Sequence, residues 1–194
     1  MLSPQEILKQ YWGYDSFRSK QEEAIHSVLD AKDTLTLLPT GGGKSICFQV
    51  PALMMEGICI VISPLIALMN DQVTALKAKN IRALAITSGM SFSEVDIALD
   101  NCIHGNYKFL YLSPERLESE MVQQRLKKMN INLLAVDEAH CISEWGYNFR
   151  PSYLRIAEIR EITNAPIIAL TATATPLVTK DIQEKLKFTD DNII

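Results

Sequence analysis

The sequence has no C-x-x-C pair, no apolar run of membrane-span length, no excess of basic residues, and no repeat, low-complexity tract or linker. Each absence excludes a class. The four cysteines, Cys47, Cys59, Cys102 and Cys141, are scattered, and three lie in apolar surroundings. They read as buried free thiols rather than a disulfide scaffold or a zinc site, which points to a reducing, cytoplasmic setting. No stretch approaches the roughly 20 apolar residues of a spanning helix, and no secretory pattern precedes the first helix, so no membrane partner is expected. A net charge of −4 argues against bulk attraction to nucleic acid. Any such binding must come from a local surface or from regions outside this chain. At 194 residues, 47% hydrophobic and 22% charged, the chain fits one globular domain, able to bury about 70% of its extended surface.

What is present is organised around Leu37-Leu38-Pro39-Thr40-Gly41-Gly42-Gly43-Lys44-Ser45. A strand-like run, Thr34 to Leu38, enters it and a helix-compatible run, Ile46 to Met55, leaves it. Consecutive glycines let several backbone N–H groups turn toward one anion, and a helix starting there adds its positive end. Lys44 supplies an ammonium for phosphates and Ser45 a hydroxyl for Mg²⁺. The strict phosphate-loop pattern has glycine where Leu38 stands, so the match is to the glycine run with Gly-Lys-Ser.

Ser3-Pro4-Gln5-Glu6 forms a capping box that predicts a helix from Pro4 to Trp12, stopped at Gly13. A second box, Ser19 with Glu22, predicts a helix to about Leu29. Tyr14 and Phe17 suit a hydrophobic lid over that helix, while Arg18 and Gln21 could present a guanidinium and an amide to a base edge. Further strands are expected at Ile58 to Ile62, Arg82 to Ile86, Phe109 to Leu112, Leu133 to Val136 and Ile167 to Leu170, nearly continuous apolar runs that suit a parallel sheet covered on both faces. Ser63-Pro64, Ser91 with Glu94, Ser113-Pro114 and Thr175-Pro176 announce the intervening helices. Lys127-Lys128 reads as a solvated helix face. The pattern predicts an α/β fold: a doubly wound, mainly parallel sheet flanked by helices, with ligands beyond the carboxyl ends of the strands.

A second acidic signal ends the run Leu133-Leu134-Ala135-Val136-Asp137-Glu138-Ala139-His140. Asp137 at a strand tip can hold Mg²⁺ opposite Ser45, and Glu138 can orient and deprotonate an attacking water. The alternative is a solvated acidic pair favouring a helix dipole.

Asp-Glu-Ala-His together with Pro-Thr-Gly-Gly-Gly-Lys-Ser resembles the first motor domain of a superfamily-two helicase, a RecA-like P-loop NTPase. Cys141-Ile142-Ser143-Glu144-Trp145-Gly146-Tyr147-Asn148-Phe149-Arg150-Pro151 narrows this, resembling the aromatic-rich loop of RecQ DNA helicases. Tyr14, Phe17, Arg18 and Gln21 resemble their adenine-sensing segment, within an N-terminal helical region of residues 1–30. Ser63 to Gln72, Leu112 to Leu117 and Thr171 to Ala174 resemble further motifs in family order, so the likeness spans essentially the whole chain.

The resemblance implies roles that spacing does not. Tyr14, Arg18 and Gln21 would select ATP, with Thr40, Gly41, Gly42, Gly43, Lys44 and Ser45 cradling its phosphates. Trp145, Phe149 and Arg150 would couple single-stranded DNA to the nucleotide, with aromatic rings available for stacking. His140, Thr171 and Thr173 would transmit that state. Ser63-Pro64 and Ser113 would offer helix N-termini to DNA phosphates. Two residues depart from the family loop, Tyr147 and Asn148 where His and Asp are common, and a tyrosine cannot titrate near neutrality. The alternative for Trp145 and Phe149 is a cap on the core, and for His140 a structural histidine.

The family further implies three-prime to five-prime translocation on DNA, roles in DNA repair and recombination, a second RecA-like domain supplying an arginine finger, and zinc-binding and winged-helix regions. None of these later regions is expected within residues 1–194, so the chain alone should be a nearly inactive monomer. Rival readings are an RNA helicase or remodelling ATPase, a nucleotide sensor without turnover, and a small-molecule kinase. Lys44 and Glu138 argue against the sensor, and no clear acceptor pocket supports the kinase.

Overall fold

Six short apolar segments pair side by side in the computed structural model, which describes residues 2–146 and 148–194. They are β1 (Thr34–Leu37), β2 (Ile58–Ile62), β3 (Ala83–Ile86), β4 (Phe109–Leu112), β5 (Ile131–Val136) and β6 (Ile167–Thr171). Every pairing is parallel, in the order β1-β6-β5-β2-β4-β3. The expected strands therefore form, within two residues at each end, and the sheet is wholly rather than mainly parallel.

Side chains alternate along each strand, so the sheet carries two cores. Cys59, Val61, Phe109, Tyr111, Leu133, Ala135, Ile168 and Leu170 face α2 (Gln21–Leu29), α3 (Ile46–Met54) and α4 (Ile66–Ala78). Ile60, Ile62, Leu110, Leu112, Leu134, Val136, Ile167 and Ala169 face α5 (Phe92–His104), α6 (Glu120–Leu126) and α7 (Pro176–Lys185). The remaining helix, α1 (Pro4–Trp12), packs Ile7 and Leu8 against Ile25 and Val50. Phe17 joins that cluster as a lid, but Tyr14 is exposed and does not.

Among the described residues, side-chain caps start three of the seven α-helices. Ser3 and Glu6 make the expected reciprocal capping box, Ser91 and Glu94 make another, and the Thr175 hydroxyl accepts from the Val178 amide. Three expected caps do not form. Before α2 the backbone turns through Lys20 at φ 68°, and the Arg18 amide donates to Gln21 Oε1 instead of any cap from Ser19. Ser63 does not cap α4, which starts at Ile66 after an extended Leu65. Ser113 precedes only a 3-10 turn, Pro114–Glu118, and its hydroxyl is buried without a hydrogen-bond partner among the described residues. A cap motif in sequence specifies a cap only when the chain before it is free to point the hydroxyl along the helix axis. At these sites strand exits or a left-handed turn fix that direction first.

One buried carboxylate fastens the end of the sheet away from the glycine run. Asp33 accepts from the Ile167 amide (2.8 Å), the Thr189 amide (2.8 Å) and the Thr189 hydroxyl (3.0 Å), and it pairs with Arg160. It thereby ties the starts of β1 and β6 to the C-terminal segment. That segment runs beside β1 and bridges Leu35 to Ile193 in parallel. All four cysteines are buried free thiols, and burial holds Cys47 and Cys102 up to about 12 and Cys141 up to about 11. Lys127 and Lys128 are exposed, but they lie in the turn that follows α6 rather than on a helix face. No helix is long and apolar enough to cross a membrane among the described residues.

Candidate active site

A wholly parallel sheet puts every strand's carboxyl end at the same edge. The glycine run follows β1, Ser63 follows β2, Ser113 follows β4, Asp137 and Glu138 follow β5, and Thr171 closes β6. Backbone bonds extend the ladder into these exits: Leu38 donates to the Thr171 carbonyl, Asp137 to that of Ile62, and Ser63 to that of Leu112. Motifs far apart in sequence are brought to one rim.

Gly41 and Gly43 adopt φ 78° and 74°, and a Cβ on Gly43 would sit 2.3 Å from Gln21 Nε2. The left-handed backbone favours glycine at both positions, and at Gly43 the Gln21 amide also fills the space a side chain would take. Gln21 is buried under the loop, its Nε2 donating to the carbonyls of Gly42 (3.2 Å) and Gly43 (3.1 Å). Arg18 Nη1 donates to the Gly41 carbonyl at 2.8 Å. The two candidate base readers therefore hold the glycine loop in this structure. They share with Tyr14, Ile46 and the loop a cavity of about 550 Å³. Thr40 is exposed, and Lys44 and Ser45 are partly exposed on the turn that opens into α3.

Asp137 is buried, its Oδ1 accepting from the Glu138 amide (3.0 Å) and its Oδ2 from the Ser63 hydroxyl (3.3 Å). Burial and then the neighbouring Glu138 charge push its carboxyl above the usual carboxylate range. The Glu138 amide, the Lys44 ammonium and the Ser63 hydroxyl oppose that shift. Lys44 is thus within electrostatic reach of Asp137. Glu138 takes a left-handed backbone at φ 48°, ψ 45°, a costly conformation for a residue with a side chain. Its Oε2 lies 3.4 Å from His140 Nδ1, which is also 2.9 Å from the Thr171 hydroxyl. That hydroxyl donates onward to the Thr173 carbonyl (3.1 Å). Because it donates there, it accepts from His140, which assigns the proton to Nδ1.

The aromatic-rich segment leaves this cluster through a 3-10 turn, Ala139–Ile142. Trp145 is 70% exposed, which removes the core-cap alternative for it. It borders a second cavity, of about 400 Å³, lined also by Leu37, His140, Thr173 and Val178. Phe149 is half-buried beneath the Lys185 ammonium, and the Arg150 amide donates to the Cys141 carbonyl. Asn148 adopts φ 63°, a conformation asparagine tolerates better than most residues. Tyr147 lies outside the described residues. Pro64 is half-buried beside the uncapped N-terminus of α4, and the Ser63 hydroxyl faces Asp137 rather than solvent.

Two features escaped the sequence. Tyr153, fully buried in the 3-10 helix Pro151–Glu161, donates its hydroxyl to the Asp137 carbonyl at 2.8 Å. Tyr111 accepts from Gln49 of α3 (3.1 Å) and donates to Gln72 of α4 (2.8 Å), linking the two helices through the core. An aromatic in an apolar run gives no sign that its hydroxyl will find a polar partner.

The raised carboxyl of Asp137 predicts a pH effect. Between the ordinary carboxylate value and the raised one, the folded state keeps a proton that the unfolded state releases. Stability therefore falls as pH rises through that window, and above it the buried charge is a standing cost. Asp137→Asn is expected to melt above wild type at neutral pH without added metal, with the difference shrinking as pH drops toward and below the ordinary range. About 2–4 °C per kcal/mol makes this measurable by thermal melting. An Asn variant melting below wild type at neutral pH would contradict it.

A family model described as DEAD/DEAH box helicase matches residues 18–182. The chain is 46% identical over 189 residues to a protein of Bacillus subtilis named probable ATP-dependent DNA helicase RecS, covering 96% of this chain and 38% of that protein. It is 50% identical over 193 residues to the ATP-dependent DNA helicase RecQ of the same organism, covering 98% of this chain and 33% of that one. It therefore spans little more than a third of these relatives. Among solved structures, the DUF1998 helicase MrfA bound to DNA and AMPPNP superposes over 100% of this chain and 29% of its own, with TM-score 0.78 and 16% identity, a likeness of fold.

Proposed function

The chain belongs to the DEAD/DEAH box helicase family, and on that premise we propose that it is the first motor domain of a RecQ-type, ATP-dependent DNA helicase. The observation that carries the reading is the cavity of about 550 Å³ between Tyr14, Arg18 and Gln21 on one side and the glycine loop on the other. It joins a wall carrying an aromatic ring, a guanidinium and an amide to the glycine turn.

Within that reading, adenine lies against Tyr14, Arg18 and Gln21, whose hydrogen bonds to the loop carbonyls exchange for bonds to the base. Thr40 to Ser45 cradle the phosphates, and Lys44 balances their charge. Asp137 and Ser45 suit Mg²⁺: the Asp137 carboxylate, whose proton affinity burial and the Glu138 charge raise, is a buried hard oxygen donor that a divalent cation would stabilise. When bound, Mg²⁺ supplies neutralisation of phosphate charge. Glu138 orients the attacking water and takes its proton, and the His140–Thr171–Thr173 chain joins that base to the end of β6. Trp145, Phe149 and Arg150 meet single-stranded DNA, with the exposed indole as a stacking platform. The uncapped start of α4 and the turn after Ser113 face the DNA phosphates.

A second motor domain of a longer protein would close over this site, as the fraction of the relatives covered suggests. Translocation from three-prime to five-prime, duplex unwinding and service in DNA repair and recombination in the cytoplasm belong to the same proposal.

Residues 1–194 alone are expected to bind a fluorescent ATP analogue weakly in a Mg²⁺-dependent manner, to hydrolyse little ATP and to unwind no duplex. An arginine finger from outside the domain is worth about 10³-fold or more in rate. Robust unwinding by this chain alone would sink the division of labour. In the full-length protein, stimulation of ATP hydrolysis by oligo(rU) above oligo(dT) would favour an RNA helicase instead.

A further inference from the structure

Lys185, the last residue of α7, lies outside every segment that carries the family resemblance. Its ammonium makes three contacts at once. It donates to the Ile142 carbonyl at 3.3 Å, lies 3.1 Å from Asp181 Oδ2, and sits 5.8 Å from the centroid of the Phe149 ring. Ile142 and Phe149 flank the stretch in which Glu144, Trp145 and Asn148 are exposed, so one cation touches both ends of the segment that carries Trp145.

The environment suits a fixed cation. The Asp181 side chain is 15% exposed, and its Oδ2 has no partner among the described residues apart from the Lys185 ammonium, which balances its charge. Lys185 itself is 27% exposed, which lessens solvent screening of the pair. A cation at this distance over a partly desolvated ring is attracted by its face. The helix that carries Lys185 begins at Thr175-Pro176, directly after Thr171 to Ala174, the segment that holds His140. The same short stretch of chain thus reaches the nucleotide-side histidine at one end and the loop at the other.

We propose that Lys185 is the positioning residue of the aromatic-rich loop, clamping Ile142 and Phe149 to α7 so that Trp145 is presented in one place. The DNA consequence rests on the reading that this loop meets single-stranded DNA. The clamp itself does not.

The chain has two tryptophans, Trp12 and Trp145, so Trp12→Phe leaves Trp145 as the only indole. In that background, steady-state fluorescence anisotropy of the DNA-free chain reports loop mobility. Lys185→Met is expected to lower it, and Lys185→Arg to keep it near the parent value. Should Lys185→Met fold poorly because Asp181 is left unpaired, Asp181→Asn/Lys185→Met removes both charges. Phe149→Leu removes only the ring and should give a smaller drop. Circular dichroism and melting confirm which variants are folded.

In the full-length protein with Trp12 intact, oligo(dT) affinity is expected to weaken about tenfold with Lys185→Met, the order of one stacked base, and to return with Lys185→Arg. Anisotropy unchanged in folded Met variants overturns the clamp. If anisotropy falls but oligo(dT) affinity holds while Trp145→Ala weakens it, the positioning role is overturned. If Trp145→Ala leaves oligo(dT) affinity untouched, the DNA reading of the loop fails, and the anisotropy still decides the clamp.

Discussion

Replacing Glu138 by Gln in the full-length protein is expected to lower ATP turnover by about 10²–10³-fold while leaving nucleotide affinity nearly unchanged. The expectation follows from where β5 ends. The strand delivers Asp137 into a buried position, and the next residue turns through a left-handed backbone that holds its carboxylate beside His140. A strained conformation persists only when the surroundings over-determine it. Here the Asp137 amide bond to Ile62 and the Tyr153 hydroxyl on the Asp137 carbonyl fix the strand tip. Glutamine keeps the size and shape of the side chain but cannot accept a proton, so binding survives and proton abstraction does not. Pre-steady-state binding of a fluorescent nucleotide and steady-state phosphate release separate the two. A Gln variant turning over within about fivefold of wild type would remove Glu138 from the chemistry.

Trp145→Ala is expected to reduce the stimulation of ATP hydrolysis by single-stranded DNA to less than about twofold, the loss of a stacking platform worth about 1–3 kcal/mol per base. The indole is 70% exposed, so its removal should shift folding stability by no more than about 0.5 kcal/mol. This separates a coupling role from a packing role, because a core cap would cost stability and leave stimulation intact. Hydrolysis with and without oligo(dT), together with a melting curve, reads both. A variant stimulated like wild type would leave the exposed indole without a role in coupling, and the RecQ-type reading would lose its most specific support.

Both predictions concern residues visible from the sequence, which shows how far local patterns reach. The six strands, the capping boxes at Ser3 and Ser91 and the glycine run were legible because each is a short-range matter. Apolar continuity, a hydroxyl three residues before a carboxylate, and glycines at left-handed φ are written within a few residues. The caps expected at Ser19, Ser63 and Ser113 do not form, for the converse reason. Their hydroxyl directions are set by the left-handed turn at Lys20 and by the exits of β2 and β4.

By itself the sequence determined the α/β class, the strands, the glycine loop and the acidic pair that follows an apolar strand. The tertiary structure alone decided which partners those groups have. It committed the Gln21 amide to the glycine loop, turned Ser63 toward Asp137, assigned the His140 proton, and set Lys185 over Phe149. The physical reason is one of range. Propensity and patterning act over a turn or a strand, whereas a side-chain hydrogen bond or ion pair needs two groups within about 3–4 Å. For residues far apart in sequence, only the packing of six parallel strands into one rim supplies that distance.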